Sequence, residues 1–142
     1  MATDRSPQAL AVAEANAESL GVAHRLTLIE GSWFRPVSGV FDIIVSNPPY
    51  IPAREIEGLS PDVRNFDPLE ALVGGEDGLD PYRAIAHAAA SHLAPGGHVL
   101  VEIGAGQADA VAAIFAAAGW QNPARHKDLA GHVRCLVFCC VE

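Results

Sequence analysis

Four consecutive residues, Asn47-Pro48-Pro49-Tyr50, combine the groups that a site for a planar nitrogen-bearing group requires. Each proline fixes its φ angle near about −65° and lacks an N–H, so the loop is rigid and the backbone carbonyls beside Asn47 are held at set angles. Asn47 supplies a side-chain carbonyl acceptor, and Tyr50 supplies a flat ring with a polar tip. This loop therefore suits an amide or amino group.

Such a group would donate its two hydrogens to the Asn47 side chain and the Pro48 main-chain carbonyl, while Tyr50 stacks on its plane. The nitrogen lone pair would then point at an electrophile, which predicts a methyl-acceptor site. Asn47, Pro48 and Tyr50 are the predicted catalytic residues, and Pro49 joins them in binding substrate. The alternative is a plain turn that caps the core, but such a turn requires neither the second proline nor the aromatic ring.

The element that must deliver this loop is the apolar run from Phe41 to Val45 directly before it. A short run rich in β-branched residues and stopped by two prolines predicts a buried strand that breaks into a rigid loop. After the loop, residues 51–80 contain three further prolines and the pair Gly74-Gly75. A segment so long and so punctuated favours a lid or a substrate loop over a plain connector.

The start of the chain predicts a strand ending at Asp4, followed by a helix with Ser6 as its N-cap and Pro7 at its first position, stopping at Gly21. Nucleotide-binding α/β folds place a ribose-binding acid at the carboxyl end of a strand, where Asp4 stands. An ordinary helix-entry aspartate is the alternative.

A second strand, from Arg25 to Glu30, is followed by Ser32 and Trp33. The carboxyl ends of parallel strands line the ligand crevice of an open α/β sheet, so both side chains could face an adenine ring. Trp33 as a plain core residue remains the alternative. The predicted cofactor-binding residues are therefore Asp4, Ser32, Trp33 and Asn47.

The rest of the chain alternates between helical and extended patterns, which predicts an α/β fold with a mostly parallel sheet covered on both faces. The predicted elements are a helix from Asp80 to about Leu93, a strand from His98 to Ile103, a helix from Gln107 to Ala118, and two antiparallel strands, Trp120 to Arg125 and Val133 to Val141.

Length and charge narrow the classes of function. The 142 residues are enough for one domain, and no run approaches the roughly 20 apolar residues of a membrane span, which favours a cytoplasmic protein. The formal charge of −8 opposes binding to nucleic acid and favours a protein or small-molecule substrate. The three cysteines form no Cys-x-x-Cys pair, so we predict small buried hydrophobic residues and no metal site.

Taken together, these motifs resemble the release-factor glutamine methyltransferases of the HemK/PrmC type over essentially the whole chain. The residues that carry the resemblance are Asn47-Pro48-Pro49-Tyr50, Asp67-Pro68, Ala71-Leu72, Gly74-Gly75, Asp77-Gly78-Leu79, Tyr82-Arg83, Glu102-Ile103-Gly104, Gln107 and Asp128-Leu129-Ala130-Gly131.

The resemblance implies transfer of a methyl group from S-adenosylmethionine to the side-chain amide nitrogen of the glutamine in the Gly-Gly-Gln motif of peptide-chain release factors. Applied to this chain, the resemblance implies that Asn47 and the Pro48 carbonyl hold the glutamine amide and that Tyr50 packs against it. It also implies that Asp4 binds the cofactor ribose. Ser32 stands where the family usually has an aspartate near the adenine.

The resemblance also implies an incomplete class I methyltransferase sheet, because the family carries a helical release-factor-binding domain, a first strand and a glycine-rich loop ahead of the position of Ala2. In the family's strand order, 3-2-1-4-5-7-6, the missing strand separates the Asp4 strand from the Phe41 strand. We therefore expect a partial catalytic domain over residues 1–142, inactive in isolation. The exposed sheet edges could pair with a second copy to form a homo-oligomer.

Two alternatives stay open. In the first, Gly104-Ala105-Gly106 is the cofactor loop and Asp128 the ribose-binding acid of a permuted amino-methyltransferase acting on adenine in nucleic acid. In the second, the chain is a non-enzymatic remnant. The first lacks the third glycine of such loops, leaves the motifs of residues 67–83 unexplained and conflicts with the negative charge.

Overall fold

A computed structural model describes residues 1–139 and divides the chain into two compact units. The first unit is Met1–Gly39, and the second begins at Val40. None of the helices in the described part of the chain combines the length and the apolar character that a membrane span needs.

The first unit is a strand-helix-strand module: β1 (Ala2–Asp4), α1 (Pro7–Ser19) and β2 (Leu28–Glu30), with β1 and β2 parallel. Helix α1 begins as the sequence predicts, because the Ser6 hydroxyl accepts a hydrogen bond from the Ala9 N–H at 3.2 Å and Pro7 occupies the first turn.

Two details of the sequence prediction for this unit are wrong. The second strand does not start at Arg25, because Ala23–Arg25 form a 3-10 turn and only Leu28–Glu30 pair with β1. The sequence also predicts an apolar face of α1 formed by Leu10, Ala13, Ala17 and Leu20, but of these only Ala17 is buried and Leu20 is 75% exposed. Leu20 is the C-cap residue and its N–H still bonds to the Asn16 carbonyl at 3.0 Å, so its exposure shows that the described residues leave this end of the helix uncovered.

The second unit is built on a four-stranded sheet with the order β3-β4-β6-β5. Its strands are β3 (Phe41–Ser46), β4 (Leu93–Glu102), β5 (Ala124–Lys127) and β6 (Val133–Cys139). Strands β3 and β4 are parallel, whereas β6 runs antiparallel to β4 and β5. Within each unit the strands are thus ordered as expected, 3-2 in the first sheet and 4-5-7-6 in the second.

The second unit contains two helices that the sequence predicts, both shorter than expected, and two short helices that it does not predict. They are α2 (Pro61–Phe66), α3 (Leu69–Leu72), α4 (Asp80–Ala88) and α5 (Ala108–Ala117), with 3-10 turns at Ala53–Gly58 and Ala89–His92. The predicted helix from Asp80 to Leu93 therefore changes to a 3-10 turn after Ala88.

Strand β4 starts at Leu93 instead of the predicted His98. Pro95, Gly96 and Gly97 follow the predicted helix and are residue types that end helices, but they lie inside β4, where the pairing with β3 is irregular between Phe41 and Ile43. Gly96 has a φ of +73°, so the glycine provides the local bend without ending the strand.

The core of the second unit is an aromatic cluster between α5 and the sheet. The rings of Phe115 and Phe138 stack with centroids 3.8 Å apart, and Trp120 meets Phe115 edge to face at 5.6 Å. Trp120 was predicted to start a strand, but it lies before β5, is buried, and donates from Nε1 to the Ala86 carbonyl at 2.9 Å. This contact joins α4 to the cluster.

The predicted burial of β3 is wrong for two of its residues. Ile43 and Val45 are 62% and 71% exposed. Ile43 and Val45 are two positions apart and so share one face of β3, and the described residues leave that face largely uncovered. The cysteine prediction is also wrong for Cys139, which is exposed; Cys135 is half-buried, and burial raises the pKa of its thiol. Cys140 lies outside the described residues.

Candidate functional site

The acceptor loop, Asn47 to Tyr50, leaves the carboxyl end of β3. Pro48 is buried and Tyr50 is half-buried, whereas Asn47 is exposed. The Asn47 side chain makes no hydrogen bond with any described residue. The loop is therefore anchored by its prolines and tyrosine while the asparagine amide remains available to a ligand.

Residues 72–80, here called the glycine strap, hold the loop from its carboxyl side. The Ile51 N–H donates to the Leu72 carbonyl at 3.0 Å, and the Gly74 N–H donates back to the Ile51 carbonyl at 3.0 Å. A third bond, from the Ala53 N–H to the Gly75 carbonyl at 2.9 Å, extends the pairing. Backbone atoms alone thus fix where the chain goes after Tyr50.

The glycines of the strap are required by this close approach. A Cβ at Gly74 would lie 2.6 Å from the Pro49 carbonyl oxygen, and one at Gly78 would overlap the carbonyl oxygen of Tyr50. Gly78 also has a φ of +77°, which side chains rarely tolerate. The Gly-Gly pair and the following glycine, which the sequence associated with a lid, bring the strap's backbone against the acceptor loop.

A charged fork keeps the strap folded. Arg83 donates to the Asp77 carboxylate at 2.6 Å and to Asp80 at 2.7 Å. The hydrogen bond from Arg83, supported by the N–H of Leu79, lowers the pKa of Asp77 to about 2. The pKa of Arg83 is correspondingly raised, chiefly by the hydrogen bond to Asp77.

Gln107 clamps the acceptor loop from the other side. Its Nε2 donates to the Tyr50 carbonyl at 2.9 Å, and its Oε1 accepts from the Gly104 N–H at 2.9 Å. A Cβ at Gly104 would lie 2.7 Å from that Oε1 and 3.1 Å from the Tyr50 ring. In this structure the Gly104 turn therefore makes room for the clamp.

Arg134 and Glu102 surround the Tyr50 side chain. Arg134 donates to the Tyr50 hydroxyl at 2.9 Å and to the Glu102 carboxylate at 3.3 Å, and its guanidinium carbon lies 5.4 Å from the ring centroid. Burial acts to lower the pKa of Arg134, but the bonds to Tyr50 and Glu102 outweigh it, so the pKa is raised. The Tyr82 hydroxyl donates to the Glu102 carbonyl at 2.9 Å, and burial raises the pKa of Tyr82.

The sequence analysis did not single out Arg134. The sequence signal for Arg134 was a charged residue at the second position of an otherwise apolar predicted strand. In the structure, the neighbouring Cys135 pairs with Glu102 across the sheet. An arginine that interrupts a half-buried strand needs a partner, and the carboxylate at the end of β4 is that partner.

The predicted cofactor residues of the first unit lie at one edge of its two-stranded sheet. Asp4 ends β1 opposite Glu30, and its carbonyl accepts from the Gly31 N–H at 2.9 Å, which brings Ser32 and Trp33 to the same carboxyl edge. The Thr3 hydroxyl approaches the Trp33 carbonyl at 3.4 Å.

Asp4 has a second local role, and Trp33 has an unusual backbone geometry. The Asp4 carboxylate accepts from the Ser6 N–H at 2.8 Å, as the helix-entry alternative expected, and it stays exposed. Trp33 is half-buried and has a φ of +52°, a strained value for a residue other than glycine. Such strain is often found at functional positions.

Asp128 has a defined role in the turn between β5 and β6. Its Oδ1 accepts from the N–H groups of Ala130 and His132, each at 2.9 Å. The residue that the permuted alternative assigned to a ribose therefore binds backbone amides of its own turn, where Gly131 has a φ of +89°.

Comparison with curated proteins places the sequence in context. The chain is 53% identical over 134 residues to a release factor glutamine methyltransferase of Cereibacter sphaeroides, and 48% identical over 134 residues to one of Rhodospirillum rubrum. Both alignments cover 94% of the chain. The chain matches the release factor glutamine methyltransferase family. It spans 48% and 41% of the length of these two relatives, and the match is to their C-terminal part. No protein-family profile matches the chain.

Solved structures agree on the fold. A methyltransferase from Pyrococcus furiosus superposes with a TM-score of 0.65 at 19% identity, covering 96% of the chain and 60% of that protein. A ribosomal protein L11 methylase from Lactobacillus delbrueckii gives 0.66 at 22% identity, covering 96% and 54%. The expected fold class, an α/β class I methyltransferase sheet present in part, is confirmed.

The motifs on which the sequence-based resemblance rests are in large part the supports of the acceptor loop. The glycine strap, the Asp77–Arg83 fork, Glu102, Gly104 and Gln107 all contact the loop or a residue that does. The resemblance is thus carried by residues that make one connected structure around Tyr50.

Proposed function

We propose that this chain supplies the methyl-acceptor part of an S-adenosylmethionine-dependent methyltransferase that acts on a protein glutamine, the one in the Gly-Gly-Gln motif of a peptide-chain release factor. The observation that carries the proposal is the acceptor loop, fixed on both sides while the Asn47 side chain stays exposed and unbonded among the described residues. The similarity to curated release factor glutamine methyltransferases supports it. A cytoplasmic location, where release factors work, is part of the same proposal.

In this proposal the loop binds the two N–H hydrogens of the glutamine amide. The Asn47 Oδ1 and the Pro48 carbonyl accept them, and Tyr50 packs against the amide plane. The amide nitrogen is a weak nucleophile because its lone pair is delocalised into the carbonyl. Two acceptors that draw the hydrogens out of the amide plane localise the lone pair on the nitrogen. Positioning the nitrogen against the methyl group supplies much of the remaining rate acceleration.

The methyl donor supplies an electrophilic methyl group on a sulfonium. Transfer of that methyl group to the nitrogen would leave the bond's electron pair on the donor sulfur, and the surplus amide proton would pass to water afterwards, while Asn47 and Pro48 hold the nitrogen in place. No strong base is needed at the loop. The Asn47 and Pro48 oxygens stabilise the positive charge that develops on the nitrogen.

In the first unit, the residues present fit the nucleoside part of the donor. Asp4 is an exposed carboxylate at a strand end, suited to ribose hydroxyls, and Ser32 and Trp33 follow the neighbouring strand, suited to an adenine. Within residues 1–139 no Gly-x-Gly-x-Gly segment is present to hold the methionine part. We therefore propose that the 142 residues alone bind the donor weakly and do not transfer methyl.

The test fuses the first half of the Cereibacter sphaeroides relative to this chain and offers three substrates: a release factor, a short Gly-Gly-Gln peptide, and an adenine-containing oligonucleotide. We expect one methyl group on the glutamine, located by mass spectrometry, and none on the adenine. Asn47→Ala should abolish transfer without lowering the melting temperature, because the side chain is exposed and makes no bond among the described residues.

Three results would count against the proposal. Methylation of adenine alone would favour the permuted enzyme. A fusion that folds and binds the donor but methylates no substrate would favour a remnant. Calorimetric titration of S-adenosylmethionine into the 142-residue chain provides the companion measurement, and micromolar binding there would contradict the expected weakness.

A further inference from the structure

The Tyr50 side chain is held by a different set of contacts from its backbone. Gln107 and the glycine strap fix the backbone of the acceptor loop through carbonyl and N–H groups. The ring itself is contacted by Arg134, which donates to the hydroxyl at 2.9 Å and lies beside the ring at 5.4 Å from its centroid. A tyrosine with a fixed backbone still has free side-chain torsions unless such contacts select one rotamer.

Arg134 is well suited to select that rotamer, because the sheet holds it in place. It lies in β6, where its carbonyl accepts from the Ile103 N–H at 3.0 Å, and its guanidinium also binds Glu102 at 3.3 Å. The planar fork of an arginine can contact a carboxylate and a hydroxyl at once, which the single ammonium of a lysine does less well.

We propose that Arg134 is a positioning residue for the acceptor glutamine: it fixes the orientation of the Tyr50 ring against which the amide packs. This inference rests on the proposed function and adds a residue that contacts neither donor nor acceptor. The Glu102 carboxylate accepts a hydrogen bond from the Arg134 guanidinium and so holds it next to the ring. The position of the acceptor nitrogen is thereby tied to the β4–β6 strand pair.

A purely structural role for the Glu102–Arg134 pair is the competing explanation. The Arg134 side chain is 29% exposed and the Glu102 side chain is 40% exposed, and pairs as open as this one contribute little to stability. Loss of Arg134 should therefore leave the fold intact and change mainly the Tyr50 ring.

Fluorine NMR of the 142-residue chain labelled with fluorotyrosine tests this directly. The chain has two tyrosines, Tyr50 and Tyr82, and the Tyr50→Phe variant assigns their signals. In Arg134→Met the Tyr50 signal should shift and broaden, while the buried Tyr82 signal reports an intact core. Arg125→Met is the matched control. Arg125 lies in β5 of the same sheet and binds Asp109 of α5, so its loss should change neither signal.

Arg134→Lys is the second variant, and it keeps the charge if Arg134→Met fails to fold. It should give an intermediate change in the Tyr50 signal. An unshifted Tyr50 signal in a folded Arg134→Lys or Arg134→Met chain overturns the inference, whatever the chain's activity.

Kinetics of the fused enzyme connect the ring to the reaction. Arg134→Met should lower kcat by roughly tenfold to a hundredfold, as expected for misplacement of a reacting group, and leave donor affinity unchanged. In a Tyr50→Phe background the same change should cost much less, because the hydroxyl contact is already gone. Equal losses of kcat in the two backgrounds would contradict the inference about Arg134. If the fused enzyme without substitutions methylates no substrate, the proposed function is contradicted, and the NMR result still tests whether Arg134 orients the ring.

Discussion

Gln107 binds the carbonyl of Tyr50 from 57 positions away in the sequence, at 2.9 Å. The same amide accepts from the Gly104 N–H, so one side chain satisfies a donor and an acceptor on two separate segments. A leucine or an alanine in this place would leave both backbone groups without their partner. The clamp therefore stabilises the acceptor loop as well as directing it.

Replacing Gln107 by alanine should lower the free energy of unfolding by about 1–3 kcal/mol, because two partly buried backbone groups lose their hydrogen bonds. Urea unfolding monitored by tryptophan fluorescence measures the loss. Gln121→Ala is the matched control, since that glutamine is exposed and should cost no more than about 0.5 kcal/mol. Equal losses in the two variants would show that the clamp contributes no stability.

Gly78→Ala should be more damaging than an alanine at another glycine of positive φ. Gly78 has a φ of +77°, and a Cβ there would overlap the Tyr50 carbonyl oxygen. At Gly106 the φ is +84° but nothing lies within 4 Å of the added atom, so Gly106→Ala isolates the backbone strain of about 1–2 kcal/mol. We expect the larger drop in melting temperature, and faster proteolysis of the acceptor loop, in Gly78→Ala alone.

Much of this arrangement could be predicted from the sequence, because the information was local. Ser6 and Pro7 specify the start of α1 through their own chemistry, and the run before Asn47 specifies a strand that ends in a rigid loop. The strand order followed from the resemblance. The function of Asn47 and the cofactor roles of Asp4, Ser32 and Trp33 remain predictions.

What could not be predicted depends on contacts distant in the sequence. The Gly74-Gly75 pair suggested a lid or a substrate loop, but not its backbone pairing with the chain after Tyr50, because that partner is more than twenty residues earlier. The exposure of Ile43 and Val45 depends on what packs over their face of β3, which the composition of β3 does not encode. Cys139 is exposed for a different and local reason, because it lies on the face of β6 opposite the buried Leu136 and Phe138.

Acid should loosen the glycine strap at an unusually low pH. The folded pKa of Asp77 is about 2, below the ordinary value of 3.8, because Arg83 binds the ionised form. A depressed pKa contributes stability that is present above about pH 4 and is lost as the pH falls through about 2.

Carbon-detected NMR of the Asp77 carboxyl measures this titration. In Arg83→Met the midpoint should move up toward 3.8, whereas Arg54→Met, which removes an exposed arginine beside Glu55, should leave it near 2. A midpoint that is the same in all three chains would show that the fork does not hold the carboxylate.

The open edge of β3 should promote self-association of the chain. Ile43 and Val45 are exposed on a strand that pairs on one side only among the described residues, which is a template for another strand. Sedimentation velocity should show a mass that rises with concentration. Val45→Lys should hold the chain as a monomer, because a charge on an edge strand opposes pairing, and Val12→Lys on α1 should not. A monomer at all concentrations would contradict the proposed homo-oligomer.

The bridge between Ile51 and Val73 has a consequence for how this part of the chain can vary. Ile51 follows the acceptor loop and pairs with Val73, so the residues between them form a loop whose two ends are held together. Doubling the length of such a loop costs only about 0.6 kcal/mol in closure entropy. Foreign sequence can therefore be inserted between the 3-10 turn at Ala53–Gly58 and α2 without moving Asn47, which makes this position a natural place for grafted recognition peptides.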